Sequence, residues 1–343
     1  MKIEYISYNL RFKYPFTISS GTKTHQPTFI VSLEHAGLKG FGEAPAISYY
    51  HIPVEKMQND LEIKMPIIEK FALTDPARFW HFLHHLIPDN PFLVCALDMA
   101  AWDLYGKLQK KPLYACWKLN KDEGPLTDYT IGIDRPEKMV EKMLAKPWPI
   151  YKIKLGTPDD AHIIQSIRKH TDAILRVDAN AGWTVDQAME LIPVMQACKV
   201  EFIEQPLSKN DDEGMRILFE KSPVPIIADE SCVSEHDVEK CHHHFHGINI
   251  KLTKCSGVTP ALRMIEHARK LGMKVMVGSM NESTIGSSAI AHMIPLLDYV
   301  DMDGTLLLDE DIAEGLQIDQ GKVILSEKPG LGINYTGLPL HSR

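Results

Sequence analysis

With 343 residues, 44% of them apolar and 24% charged, the chain is long for one ordinary domain and has the apolar content to bury a large core. A net charge of −8 lacks the basic excess that nucleic-acid binding demands, and no apolar run reaches the ~20 residues of a membrane helix. The N-terminus, MKIEYISYNLRFKYPF, has no apolar core of the about 7–15 residues that mark a signal peptide, so a cytoplasmic protein is expected.

The first 45 residues read as strands. IEYISYNLRF alternates at period two, and THQPTFIVSLEHAGLKGFGEAPAI reads as a strand, a glycine-bearing turn and a second strand. Between them Thr17 to Thr24 is small and polar, which predicts a mobile loop. From Val54 to Lys118 the pattern turns helical; in FLVCALDMAAWDLYGKLQ the residues Leu93, Leu97, Ala100, Ala101, Leu104 and Leu108 share one stripe. Strands followed by helices predict an α+β domain over residues 1–123.

After Gly124 short apolar strands alternate with helical stretches. The strands are LTDYTIG, IYKIKL, ILRVDAN, VEFIEQP, VPIIADES, GINIKL, KVMVGS and YVDMDG, eight in under 190 residues. Such alternation predicts parallel βα units closed into a barrel over residues 124–315, since the first βα turn lacks the GxGxxG of an open dinucleotide-binding sheet. Residues 316–343 are expected to pack back onto the N-terminal domain. Six cysteines (Cys95, Cys116, Cys198, Cys232, Cys241 and Cys255) form no CxxC pair and read as thiols in a reducing compartment.

The strand ends carry the chemistry. They deliver Thr130, Lys152 and Lys154, Asp178 and Asn180, Glu204, Asp229 and Glu230, Lys251, Ser279, and Asp301-Met302-Asp303 to one face of the barrel, where active sites of such barrels lie. A scaffold alone has no use for so many costly charges. Asp178, Glu204 and Asp229 follow at spacings of 26 and 25 residues, and three converging carboxylates call for a cation. All-oxygen ligands favour Mg²⁺ over Mn²⁺ or Ca²⁺, the alternative being three separate salt bridges to nearby lysines. Asn180 and Glu230 are expected to support those ligands from behind. Lys154 and Lys251, on the second and sixth strands, stand nearly opposite, a geometry suited to removing a proton from one face and returning it to the other. A lysine base needs its pKa brought from about 10.4 toward about 7–8, which burial, a dication and Lys152 would favour; alternatively both lysines are countercharges to the acidic cluster.

These residues, with Gly40-Phe41-Gly42-Glu43 and the helix from Ala96 to Leu104, resemble those of the enolase superfamily in its muconate-lactonizing-enzyme subgroup, over essentially the whole chain. The resemblance implies a modified (β/α)7β TIM barrel with an α+β capping domain, and one Mg²⁺ per subunit on Asp178, Glu204 and Asp229 chelating a substrate carboxylate. It implies Lys154 and Lys251 as acid/base catalysts, Lys152 as a carboxylate contact that lowers the pKa of Lys154, and homo-oligomers. Asp301-Met302-Asp303 resembles the Asp-x-Asp signature of dipeptide epimerases, whose acidic pair binds an α-ammonium; an acidic turn before Gly304 is the plainer reading. Thr130-Ile131-Gly132 resembles the segment that contacts the peptide. The expected substrate is therefore a dipeptide inverted at its C-terminal residue. In Ala-Glu epimerases an arginine of the capping loop meets the glutamate; here the loop offers only Lys23, which more often reads as a solvated loop lysine, so Ala-Ala or another small or apolar Ala-Xaa gains on Ala-Glu, with a place in peptidoglycan peptide metabolism. The competing functions are muconate cycloisomerase, o-succinylbenzoate synthase and a non-catalytic carboxylate- or Mg²⁺-binding module. His242-His243-His244-Phe245-His246 precedes the sixth strand, on the stability face, and Met273, Met276 and Met280 read as core or pocket wall.

Overall fold

The computed structural model describes residues 1–18 and 21–342. Period-two alternation gives three antiparallel strands, β1 (Lys2–Ile18), β2 (Gly21–His35) and β3 (Leu38–Pro45), in the order β1-β2-β3. Both faces of this sheet are buried. Phe29, Val31 and Leu33 join a core with the helices α1 (Val54–Ile68), α2 (Pro76–Leu86) and α3 (Pro91–Leu108), whereas Ile30, with Ile6, Leu10 and Phe12 of β1, joins the core of the barrel. The segment expected to be a mobile loop is instead ordered strand on either side of its tip: Phe16 pairs with Lys23 and Thr17 with Thr22. Its tip, Ser19 and Ser20, lies outside the described residues. Composition misled here because the hairpin leans on the barrel, where the Ile133 amide donates to the Thr17 carbonyl at 3.1 Å.

Eight parallel strands follow: β4 (Tyr129–Ile131), β5 (Ile150–Lys154), β6 (Ile174–Asp178), β7 (Val200–Glu204), β8 (Ile226–Ala228), β9 (Gly247–Ile250), β10 (Lys274–Gly278) and β11 (Tyr299–Asp301). They pair in chain order, and a bridge between Thr127 and Val300 closes the ring. Full helices follow the first seven strands, but β11 leads only to the four-residue helix Gly304–Leu307, after which the Asp309 amide bonds back to the Arg11 carbonyl. The barrel is thus (β/α)7β. Its floor is stoppered by Phe202, Ile227, Met276 and Tyr299. The Arg176 guanidinium sits over the Phe202 and Tyr299 rings and bonds Asp128 at 2.8 Å and Glu201 at 2.8 Å. The C-terminal segment runs back along β1, where Tyr5 and His341 exchange backbone hydrogen bonds, and Tyr335 stacks on Phe41.

Buried polar bolts join cap to barrel. Asp98 of α3 accepts from the Thr259 amide at 2.8 Å and hydroxyl at 2.7 Å, in the first turn of the barrel helix Val258–Lys270. The histidine tract lies before β9, at the barrel end away from the carboxylates; His246 Nδ1 accepts from the Ile226 amide. All six cysteines are free. Among the described residues no helix is long and apolar enough to cross a membrane.

The sheet lies flush on α3 because β3 carries glycine where the two backbones meet. A Cβ on Gly42 would stand 1.9 Å from the Ala96 carbonyl oxygen, and one on Gly40 would stand 2.2 Å from that of Ala100. Backbone cannot yield as a side-chain tip can, so Gly42→Ala is expected to lower unfolding free energy by about 3 kcal/mol in denaturant melts. An unchanged midpoint would refute this packing.

Candidate active site

Every barrel strand ends on the side that faces the cap, and a cavity of about 230 Å³ lies between them. Lys152 and Lys154 alternate with apolar residues along β5, so both ammonium groups point inward. Lys152 is at the centre, 2.7 Å from Asp301, 2.8 Å from Glu204 and 3.2 Å from Asp178. Lys154 donates to Asp178 at 2.6 Å and approaches the Asn180 side-chain oxygen at 3.4 Å. Lys251, first residue after β9, donates to Asp229 at 2.7 Å. β5 and β9 are the second and sixth strands of the ring of eight, so Lys154 and Lys251 rise from opposite walls.

Asp178 and Glu204 are neighbours in register on β6 and β7, and Asp229 follows β8. Gln205, at φ 35°, turns its side-chain oxygen to the amides of Asp229 (3.0 Å) and Ser231 (3.1 Å), which fixes the end of β8. Asn180, at φ 45°, donates its amide to Asp178 at 2.9 Å. Residues in this sparsely populated backbone region persist where the surroundings hold them, as these hydrogen bonds do here.

On the third wall Asp303 accepts from the Thr130 amide at 2.6 Å, and Asp301 holds Lys152. Thr130, Asp301, Asp303, Asn180 and Glu230 line the cavity. Met302 does not: its side chain is buried in the barrel core, its amide bonded to the Thr127 hydroxyl. From the cap come Phe16 and Lys23, cross-strand partners in the hairpin, and Tyr49 and Tyr50. Three groups escaped sequence reasoning. Lys254 donates to both the Asp229 side chain and its carbonyl at 2.6 Å; its place three residues after Lys251 was the available signal. Asn249 donates to Glu204 at 2.8 Å, and Tyr50 sits near Asp229.

Charge sets the protonation states. Burial opposes ionisation of Asp178, but Lys154 and Lys152 outweigh it and hold the carboxyl at about 2. Asp229 is likewise held far below the usual range by Lys251 and Lys254 against the cost of burial. Burial alone would lower Lys251, yet Asp229 and Glu204 raise it above the ordinary lysine value. Lys152 is raised in the same way by Asp301 and Glu204. The carboxylates paired directly with these two ammonium groups stabilise the charged amine. Asp303 moves the other way, to about 7, because burial and the charge of Asp301 outweigh the Thr130 donor. Burial and the charges of Asp229 and Asp178 likewise raise Glu230 to about 7.

Among the described residues no three His, Cys, Asp or Glu groups stand as a ready-made metal cage, since each carboxylate is turned to a lysine or, for Glu204, also to Asn249. The donor set nevertheless fits a hard cation. Asp178, Glu204 and Asp229 are buried, their charges act on one another, and one Glu204 oxygen receives no hydrogen bond despite its ion-pair distance to Lys152. Such oxygens suit Mg²⁺.

Residues 2–116 match the N-terminal domain model of the mandelate racemase / muconate lactonizing enzyme family, and residues 136–337 match the enolase C-terminal domain-like family. An L-Ala-D/L-amino acid epimerase of Flavobacterium johnsoniae is 50% identical, the alignment covering 97% of this chain and 99% of the relative. The L-Ala-D/L-Glu epimerase of Bacteroides thetaiotaomicron is 37% identical, with 97% and 88% covered. Among solved structures, a dipeptide epimerase of Cytophaga hutchinsonii complexed with Mg and D-Ala-L-Val superposes with a TM-score of 0.91 at 29% identity, covering 98% of this chain and 95% of that one.

Asp303 makes a pH test available. With its folded pKa raised to about 7, the folded protein keeps a proton that the unfolded chain releases near pH 4, so this group costs stability increasingly as pH rises through that window. Asp303→Asn stays neutral throughout. Without Mg²⁺ or ligand, the melting temperature of the variant relative to the parent is expected to climb between pH 4 and pH 7 and then level off. A difference constant with pH would contradict the assignment.

Proposed function

The chain belongs to the mandelate racemase / muconate lactonizing enzyme family of the enolase superfamily, and on that premise we propose that it is an isomerase that inverts the α-carbon of the C-terminal residue of a dipeptide. What carries this reading is the pair of lysines, Lys154 and Lys251, facing each other across one cavity with an acidic pair on the wall between. Asp178, Glu204 and Asp229 would hold the Mg²⁺ cofactor, which would supply the positive charge that this trio and a substrate carboxylate need, so that Lys154 and Lys251 would no longer be the countercharges of Asp178 and Asp229.

Asp301, kept ionised by Lys152, takes the dipeptide ammonium together with Asp303. The muconate and succinylbenzoate substrates of the lyases offer no such cation, so this buried acidic pair speaks against them. Lys152 meets the carboxylate end. The α-carbon then lies between the two amines. A neutral Lys154 or Lys251 takes the α-proton, leaving an enediolate, and the ammonium opposite delivers a proton to the other face. The cycle ends with one lysine charged and the other neutral, each in the state its partner began in, so the same residues run both directions.

The side chain of the C-terminal residue meets the cap. Phe16, Ile47 and Tyr50 provide an apolar wall, and Lys23, half-buried with its pKa lowered by that burial, provides one cationic head. This combination suits Ala-Xaa dipeptides with apolar Xaa and admits Ala-Glu, consistent with a role in peptidoglycan peptide metabolism. The same proposal places the protein in the cytoplasm as a homo-oligomer without a nucleic-acid partner, with a cap of residues 1–123, a catalytic barrel of 124–315 and a segment of 316–343 that returns to the cap.

Incubated in D₂O with Mg²⁺ and L-Ala-L-Xaa dipeptides, the protein is expected to place deuterium at the C-terminal α-carbon while forming the epimer. Lys154→Ala and Lys251→Ala are each expected to lower epimerisation at least about 1,000-fold. Mg²⁺ binding should persist in both, and each variant should still exchange only the epimer whose α-proton faces its surviving lysine. Absence of deuterium with every dipeptide, or full turnover in either variant, would reject the reading. Lys23→Met should lower kcat/KM for L-Ala-L-Glu by about tenfold and leave L-Ala-L-Val nearly unchanged; equal losses on both would remove Lys23 from substrate recognition.

A further inference from the structure

Glu43 stands at the end of the strand whose glycines press on α3. Because side chains alternate along a strand, Gly42 faces α3 and Glu43 faces away from it, toward the barrel. It is fully buried, yet its carboxylate accepts four hydrogen bonds. One oxygen takes the Thr28 hydroxyl at 2.9 Å and the Ser283 amide at 3.0 Å, and the other takes the Ser283 hydroxyl at 2.6 Å and the Gly286 amide at 3.0 Å. Ser283 is the N-cap of the barrel helix Thr284–Ala291, so an acid of the cap closes the end of a barrel helix. Just before that helix, Glu282 folds back to accept the Met280 amide at 2.7 Å. The turn so fixed, Ser279 to Asn281, walls the cavity, with Asn281 at φ 65°. Its far side abuts the acidic pair: a Cβ on Gly304 would lie 2.9 Å from Asn281 Cα.

We infer that Glu43 is a positioning residue for substrate binding, a carboxylate of the cap that sets the barrel turn Ser279–Asn281 against Asp301 and Asp303 and so fixes where the dipeptide ammonium sits. The inference rests on the dipeptide reading above. It goes further by making part of the binding wall depend on a residue that touches no substrate. Neither lysine pair nor carboxylate trio contacts Glu43, so its loss acts on binding rather than on proton transfer.

Glu43→Gln keeps the size of the side chain but replaces one accepting oxygen with a donor that the Gly286 amide cannot use. The variant is expected to raise KM for the dipeptide about tenfold while kcat stays within about threefold, with Mg²⁺ affinity unchanged by calorimetry. Ser283→Ala, which removes one donor from the barrel side, should raise KM in the same direction, and the double variant should show less than the product of the two effects. Hydrogen–deuterium exchange gives a readout independent of turnover: amides from Met280 to Gly286 should exchange faster in Glu43→Gln, with the other barrel loops unchanged. Unchanged exchange in that segment, or unchanged KM in soluble Glu43→Gln, overturns the inference. A parent protein that epimerises no dipeptide while the exchange effect is present would sink the functional reading and leave the Glu43 tie standing.

Discussion

Four ammonium groups and the carboxylates around them share one buried end of the barrel, and neither set is tolerable there without the other. Lys152, Lys154, Lys251 and Lys254 meet Asp178, Glu204, Asp229 and Asp301 at ion-pair distances, with little of any side chain exposed. Removing one partner would strand the other at a cost of several kcal/mol, so the cluster holds its members in a fixed arrangement. That mutual dependence is also what makes the cluster responsive to a ligand: anything that brings opposite charge can redistribute the pairings without dismantling the barrel.

The cap contributes what the barrel cannot. Strand ends supply charge but stand in a ring, open on one side. The β1–β2 hairpin and Tyr49–Tyr50 close that side with aromatic and apolar surface, while Asp98 and Glu43 tie the cap to the two barrel helices that follow β9 and β10. The charged and the apolar walls of the cavity thereby come from different parts of one chain, and the ties between them are buried, hydrogen-bonded carboxylates rather than exposed ion pairs, which contribute little.

Much of this was legible in the sequence, for physical reasons that differ by element. The eight barrel strands are short apolar runs between amphipathic helices, and their polar last residues mark the working face, so Asp178, Glu204, Asp229, Lys154 and Lys251 could be placed there from spacing alone. Strand count could not reveal that the last helix is cut to one turn, because the chain leaves the barrel to bond with β1. The hairpin arms around Phe16 and Lys23 looked like a loop because pairing between small and polar residues leaves no apolar signature. Only its place three residues after Lys251 set Lys254 apart from a solvated lysine, and Glu43 was visible as a motif residue while its partner Ser283 lies 240 residues away. Pairings of that range belong to the fold, not to any local pattern.

Beneath the site, Arg176 and its aromatic neighbours plug the barrel axis. Entry and exit must therefore use the same doorway, past the hairpin and the two tyrosines. Two mirror-related forms of one residue would leave by the route they came, so neither hand is offered an exit of its own.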